Sequence, residues 1–196
     1  MNFMNKGKLM RKGLLVVFVP SLLIGAGLIA KKAAAQKKEK PTTVQSVDLK
    51  KYAGQWYEIA RYPNEFQKKC LSNVTAEYIL EEGGGITVIN RCKTADGAAN
   101  EAKGKARVKD KQTNAKLEVR FAPRILSFIP NVWGDYWILD LGADYDYALV
   151  GSPDRKYLWV LSRTPEIDST KYENMMQIAR QEGYNPDRLI KTEQGQ

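Results

Sequence analysis

The sequence predicts an all-β domain: an eight-stranded antiparallel up-and-down β-barrel with one C-terminal helix packed outside, preceded by an N-terminal hydrophobic helix. Three observations carry this expectation. From residue 54 onward, short segments alternate apolar and polar side chains, the mark of strands with one buried face. Turn-forming Gly, Pro, Asn and Asp separate these segments at short intervals, so successive strands are antiparallel neighbours. Only residues 168–182 break into a clear amphipathic helical period. Eight sequential strands must close on themselves or leave pairing edges exposed, and a barrel of eight encloses room for one small ligand.

The elements follow in chain order. The chain has 196 residues, enough for one domain with a substantial core. Residues 1–35 form a signal or membrane-anchor segment: a basic start, then eighteen residues, 13–30, without a charge. Ala33-Ala34-Ala35 offers small residues for cleavage, whereas Lys31 and Lys32 before them fit an uncleaved anchor; both readings stay open. Residues 36–46 are polar and Pro-bearing and read as a flexible linker. The barrel domain is expected over residues 47–196. Its strands are expected at 54–62, 73–80, 86–92, 101–110, 115–121, 135–141, 145–151 and 156–163. Glu81-Glu82-Gly83-Gly84-Gly85 supplies the clearest hairpin turn. Asp168 or Ser169 caps the helix, in which Tyr172, Met175, Met176 and Ala179 share one face and Gly183 gives the stop. A short strand around residues 189–192 can follow.

Charge and composition exclude several function classes. The net charge of +9 suggests nucleic acid until it is located. Residues 1–46 hold nine basic side chains against Glu39, leaving 22 basic and 21 acidic residues from Val47 onward. The barrel is therefore near neutral, and no nucleic-acid partner is expected. With no histidine in the chain, Ser-His-Asp and Cys-His nucleophile activation are absent. No EF-hand-type loop appears either, so the expectation is a binding protein without catalytic residues, metal or cofactor.

Several barrel families fit this much. Three short motifs narrow the choice. Gly54-Gln55-Trp56-Tyr57-Glu58 opens the first strand, Asp144-Tyr145-Asp146-Tyr147 precedes the seventh, and Arg163 ends the eighth. Together they resemble the lipocalin family over roughly residues 47–193, and in detail the bacterial outer-membrane lipocalins and apolipoprotein D. The resemblance implies that Trp56 plugs the closed end and that Arg163 lies against it in a cation–π contact. It also implies storage or transfer of a hydrophobic ligand, a fatty acid or (lyso)phospholipid, in the bacterial cell envelope. A pigment or other small hydrophobic molecule is the alternative cargo. The chain departs from the lipoproteins of this group in having no cysteine near the end of the apolar run for acylation.

Cys70 and Cys92 flank the hairpin centred near Gly83, which brings them nearly opposite each other. A membrane-targeting leader and this register favour a disulfide in an oxidising compartment. A reactive cysteine, as in the prostaglandin-isomerising lipocalin, would need an activating base for which the sequence offers no support.

With Trp56 pointing inward, strand alternation gives the expected ligand-binding set. These are Glu58 and Ala60, then Val74, Ala76 and Tyr78, then Val88 and Asn90, then Leu117, Val119 and Phe121, and finally Trp137 and Leu139. Glu58 and Asn90 either meet a ligand head group or form an internal cluster with Tyr78. A buried carboxylate such as Glu58 is costly unless paired. Residues 122–134 are unusually apolar for a loop and lie at the mouth. Arg124, Ile125, Leu126, Phe128, Ile129, Val132 and Trp133 there suit a lid, a membrane-dipping surface, or a segment folded back into the barrel. Oligomeric state is not legible in the sequence.

Overall fold

A computed structural model describes residues 39–122 and 132–195. The expected N-terminal hydrophobic helix lies outside them, as does most of the 122–134 loop; among the described residues no helix is long and apolar enough to cross a membrane. Nine strands are present among the described residues. They are β1 (Gly54–Arg61), β2 (Cys70–Leu80), β3 (Ile86–Thr94), β4 (Ala99–Val108), β5 (Lys116–Arg120), β6 (Gly134–Leu141), β7 (Tyr147–Gly151), β8 (Leu158–Ser162) and β9 (Ile190–Lys191). The first eight pair sequentially and antiparallel, and β1 closes the barrel by pairing with both β2 and β8. β9 pairs with β1 at Ala60 and Arg61, beyond the stretch of β1 that pairs with β2.

Helix α1 (Leu49–Tyr52) precedes the barrel, and Asp48 caps it by accepting from the Lys50 and Lys51 amides at 2.9 and 3.4 Å. α2 (Ser169–Gln181) follows β8, with Asp168 accepting from Thr170 N and Lys171 N at 2.9 and 3.1 Å. Its buried Met175, Met176 and Ala179 join Leu149, Leu158 and Val160 in a cluster on the outer face of the sheet. The inner face carries the other core cluster, around Trp56, Val88, Leu117, Ile138 and Leu161.

Three expected inward positions, Ala60 on β1 and Trp137 and Leu139 on β6, change face. On β1 the register against β8 steps between Glu58, opposite Leu161, and Ala60, opposite Val160. This β-bulge at Ile59 reverses the alternation. Ala60 therefore packs with Val160 beneath α2 instead of facing the interior. Arg61 in turn shares the inner face with Glu58. On β6, Leu117 and Val119 stand opposite Tyr136 and Gly134. Cross-strand partners share a face, so Tyr136 and Ile138 turn inward, while Trp137 and Leu139 lie in the outer cluster under α2. The sequence assignment for β6 had no anchored neighbour from which to count.

At the closed end, Trp56 is fully buried and its indole Nε1 donates to Tyr52 O at 2.8 Å. The Arg163 guanidinium carbon sits 3.9 Å from the Trp56 ring centre. Arg163 also donates to the carbonyls of Lys51, Tyr52, Ala53, Gln55 and Tyr145. It thus satisfies the C-terminal carbonyls of α1, which have no partner within so short a helix. Gly54 has φ +93, and a Cβ there would lie 3.4 Å from Arg163 Nη1. The β6–β7 turn completes the seal, with Tyr145 Oη accepting from Asp48 N at 2.9 Å and Asp144 exposed beside it.

Arg163→Ala removes the stacked cation and its hydrogen bonds to these carbonyls, of which Tyr52 O keeps only Trp56 Nε1. Urea unfolding is expected to show a loss of about 2–4 kcal/mol, and Arg163→Lys to recover only part of it, because an ammonium cannot reproduce the planar fork.

Candidate functional site

Above the sealed base the barrel is hollow. Val74, Ala76, Tyr78, Val88, Asn90, Val119, Phe121, Val132, Tyr136 and Leu161 are among the residues lining a cavity of about 700 Å³. The cavity reaches the loops at the opposite end. Its apolar wall follows from strand alternation: β2, β3 and β5 each turn every second side chain inward. Glu58 also lines it. Leu117 belongs to the inner cluster with Trp56 and is not among the lining residues, and Ala60, Trp137 and Leu139 lie on the outer face.

Further lining residues carry no expectation from the sequence: Phe66, Gln67, Asn100, Ala102, Tyr136, Tyr157, Trp159 and Leu161. The β8 members had a usable signal, since counting back in twos from Arg163 reaches Leu161, Trp159 and Tyr157. Phe66 and Gln67 sit in the β1–β2 connection, where no alternation operates. Phe66, Tyr157 and Trp159 form an aromatic group near the mouth, with ring centres 5.3 Å apart for Phe66–Tyr157 and 5.7 Å for the stacked Tyr157–Trp159 pair. Phe66 is 63% exposed, so this group meets solvent.

Glu58 is buried, and both its oxygens are engaged. Oε1 accepts from Arg61 Nη1 and from Thr192 Oγ1, each at 2.6 Å, and Oε2 accepts from Gln67 Nε2 at 2.6 Å. Arg61 further donates to Cys70 O at 3.3 Å, and Gln67 Oε1 accepts from Trp159 Nε1 at 3.0 Å. The bulge at Ile59 makes this possible, because residues three apart on a regular strand point to opposite faces. The pairing meets the cost of burying the carboxylate. It also leaves Glu58 committed to the protein, and its partners do not include Tyr78.

Tyr78 belongs to a second group. Tyr52 Oη and Tyr136 Oη lie 2.7 Å apart, and Tyr78 Oη donates to Tyr136 Oη at 2.8 Å. This triad floors the cavity above Trp56. Burial pushes the Tyr78 phenol up to about 12. Burial, then the neighbouring tyrosines, raises Tyr52 and Tyr136 well above the ordinary phenol value.

Cys70 and Cys92 are joined in a disulfide with Cα atoms 5.5 Å apart. Their route to each other is less direct than a simple hairpin. The β2–β3 register steps twice, between Cys70 and Ser72 and between Ser72 and Thr75, so Cys70 stands opposite Thr94. Those two extra residues on β2 draw Cys70 back toward Cys92. The bond ties β2 to β3 at the cavity wall, where both cysteines are lining residues.

In the 122–134 loop, Arg124, Ile125, Leu126, Phe128 and Ile129 lie outside the described residues. Val132 lines the cavity. Trp133 is half-buried, its ring centre 4.2 Å from the Arg107 guanidinium and 4.9 Å from that of Arg120. Among the described residues, no group of three or more His, Cys, Asp or Glu side chains converges to hold a metal ion.

The comparisons with known proteins agree with this geometry. The model of a lipocalin-like domain matches residues 47–194. Temperature-induced lipocalin-1 of Arabidopsis thaliana is 39% identical over 160 residues, covering 81% of this chain and 85% of the plant protein. Outer membrane lipoprotein Blc of Escherichia coli K12 is 39% identical over 154 residues, covering 78% of this chain and 82% of Blc. Mouse apolipoprotein D is 34% identical over 163 residues, covering 79% and 80% of the two chains. Among solved structures, insecticyanin from the tobacco hornworm superposes with a TM-score of 0.61 at 21% identity, covering 78% of this chain and 84% of insecticyanin. That likeness is one of fold.

The tyrosine triad gives a pH prediction. A phenol whose pKa rises on folding is neutral in both states below its unfolded value of 10.0. Above that value the unfolded chain binds fewer protons than the native one, so stability falls as pH rises toward about 12. Urea unfolding between about pH 9 and pH 11 is expected to show this decline, steepening by up to about 1.4 kcal/mol per pH unit for each tyrosine kept protonated. Tyr78→Phe should flatten it; an unchanged slope contradicts the burial of that phenol.

Proposed function

Because the chain belongs to the lipocalin family, whose barrels hold small hydrophobic molecules, we propose that it binds and stores or transfers a lipid, a fatty acid or (lyso)phospholipid, in the cell envelope. The observation that carries this reading is the cavity of about 700 Å³ with its mainly apolar wall, sealed below by Trp56 and open at the loops. That size is within the range of pockets that enclose a drug-sized or single-chain lipid ligand. The tyrosine hydroxyls at its floor and the Glu58 carboxylate at its side are bonded within the protein, so the wall offers a ligand chiefly apolar contact. A carrier needs no more than this, and no catalytic role is assigned to any residue.

The envelope placement rests on other observations. Residues 1–35 carry the apolar run, and part of the expected 36–46 linker is bound to the barrel domain, with Val44 N donating to Ile138 O at 3.0 Å and Thr42 N to Glu182 Oε2 at 2.6 Å. The Cys70–Cys92 disulfide suits an oxidising compartment. Blc, among the relatives, is an outer-membrane lipoprotein by name. The mouth faces a membrane in this reading, with the apolar 122–134 loop as lid or contact surface.

Native mass spectrometry of the protein purified from its own host is expected to show a bound species with the mass of a fatty acid or lysophospholipid. A coloured or aromatic ligand would favour a pigment carrier instead. In parallel, a fluorescent fatty-acid analogue should bind the wild-type barrel, and Ala102→Trp, which fills the cavity from β4, should weaken it by at least about 10-fold. A wild-type protein that arrives empty and ignores the probe overturns the proposal.

A further inference from the structure

Strand direction sorts the exposed side chains by end. β1, β3, β5 and β7 run away from the Trp56 seal, so the connections that follow them stand at the mouth. Among the described residues six large apolar side chains are exposed, and four of them lie at the mouth end. These are Phe66 and Leu71 at the β1–β2 connection, Phe121 after β5, and Ile190, which stands opposite Arg61 at the end of β1. Phe66 and Leu71 are the most exposed of the six, at 63% and 62%. Between them in the chain stand the exposed Lys68 and Lys69, with Lys68 Nζ 2.5 Å from the exposed Glu65 carboxylate. Apolar side chains gathered at one end of a domain, rather than scattered singly, mark an interaction surface.

The course of the chain ahead of the barrel leads to the same end. Val47 N donates to Thr113 O at 2.7 Å in the β4–β5 turn, at the closed end. Traced backward from there, the chain follows the outer wall. Val44 N donates to Ile138 O at 3.0 Å, Thr42 N donates to Glu182 Oε2 at 2.6 Å, and Lys40 Nζ lies 5.9 Å from the Trp137 ring centre. Arg155, in the β7–β8 turn, donates to Glu182 O at 2.7 Å and to Glu39 O at 2.6 Å. Residues 39–47 are therefore a strap running from the mouth end to the closed end. The uncharged run 13–30 ends eight residues before Glu39. Eight residues span at most about 30 Å of extended chain.

We infer that the β1–β2 connection is a docking face for a lipid bilayer, the same bilayer that holds the chain's own apolar run. Phe66 and Leu71 enter the boundary between head groups and acyl chains, and Lys68 and Lys69 meet anionic head groups. This rests on the lipid-binding reading above and deepens it, because it fixes which way the barrel faces and how cargo arrives. Apolar side chains interleaved with lysines are the chemistry of interfacial binding. The aromatic contacts run unbroken from this face into the cavity: Phe66 lies 5.3 Å from Tyr157, and Tyr157 stacks on Trp159 at 5.7 Å. All three line the cavity. A lipid leaving the acyl layer therefore keeps apolar contact on its way in, and exchange does not require passage through water. The strap supports the same orientation, since a chain that departs at the mouth end draws that end toward the membrane.

The test places the full chain in vesicles of phosphatidylcholine and phosphatidylglycerol, about 3:1. A membrane-impermeant acetylating reagent then modifies lysines, and mass spectrometry reads each site. Lys50 in α1 and Lys111 in the β4–β5 turn, both exposed at the closed end, serve as the reference. Relative to them, Lys68 and Lys69 are expected to be modified about 5-fold less in the wild type than in Leu71→Asp, whose carboxylate holds this face in water. Leu71 is exposed and is not among the cavity-lining residues, and binding of the fluorescent fatty-acid analogue verifies that the variant barrel is intact. Lys68 and Lys69 equally reactive in the wild type and in Leu71→Asp overturn the docking face. Protection that fades as the protein is diluted in lipid identifies a second copy of the chain as the occupant and overturns it as well. Both results leave the cargo reading standing when the wild type binds the analogue. Rim protection in a wild-type chain that ignores the analogue overturns the cargo reading alone.

Discussion

The stacking of Arg163 on Trp56 is the contact on which the rest of this barrel depends. An eight-stranded barrel has two open ends, and its interior becomes a site only if one end is shut. Here one guanidinium shuts it, covering the indole and binding carbonyls from α1, the start of β1 and the β6–β7 turn. Side chains belonging to residues more than a hundred positions apart thereby converge on one point. The hydrophobic weight sits with Trp56 and the tyrosines above it. The arginine adds direction, since its planar fork satisfies carbonyls that burial would otherwise leave bare.

With the base closed, the interior above it divides into two chemical zones. The tyrosine triad and the Glu58–Arg61 pair are self-contained polar clusters set into an apolar wall. The tyrosine hydroxyls and the Glu58 carboxylate are held by protein partners, so they shape and stiffen the cavity, whereas the buried Arg61 Nε has no hydrogen-bond partner. The C-terminal segment contributes here, because Thr192 bonds Glu58, and Gln194 bonds the backbone of Glu58 on β1 and of Val74 on β2. It fills the gap where β1 stops pairing with β2.

Much of this architecture was legible in the amino-acid order, and the reasons differ by element. The strand rhythm, the Gly83-centred hairpin and the Met175–Met176 helix face each depend on local periodicity, which sequence carries directly. Trp56, Arg163 and the cysteine pair were legible through motif resemblance and hairpin symmetry. Parity across irregularities was not. The bulge at Ile59 turns Ala60 outward and brings Arg61 in, and no local pattern marks it. Trp137 and Leu139 belong under α2 because β6 takes its register from β5, a relationship that only pairing reveals. Thr192 and Gln194 reach Glu58 from more than 130 residues away, with nothing in their neighbourhood to announce it.

We propose that an apolar molecule sits in the hollow above Trp56. It is tested most directly by the crystal structure of the protein with a lipid brominated along its acyl chain, using bromine anomalous scattering to find the ligand. The bromine peaks are expected inside the barrel, between Val88, Val119 and Leu161 and above the Tyr78–Tyr136 pair. Peaks confined to the outer surface, or an interior that stays empty at saturating lipid, would contradict it.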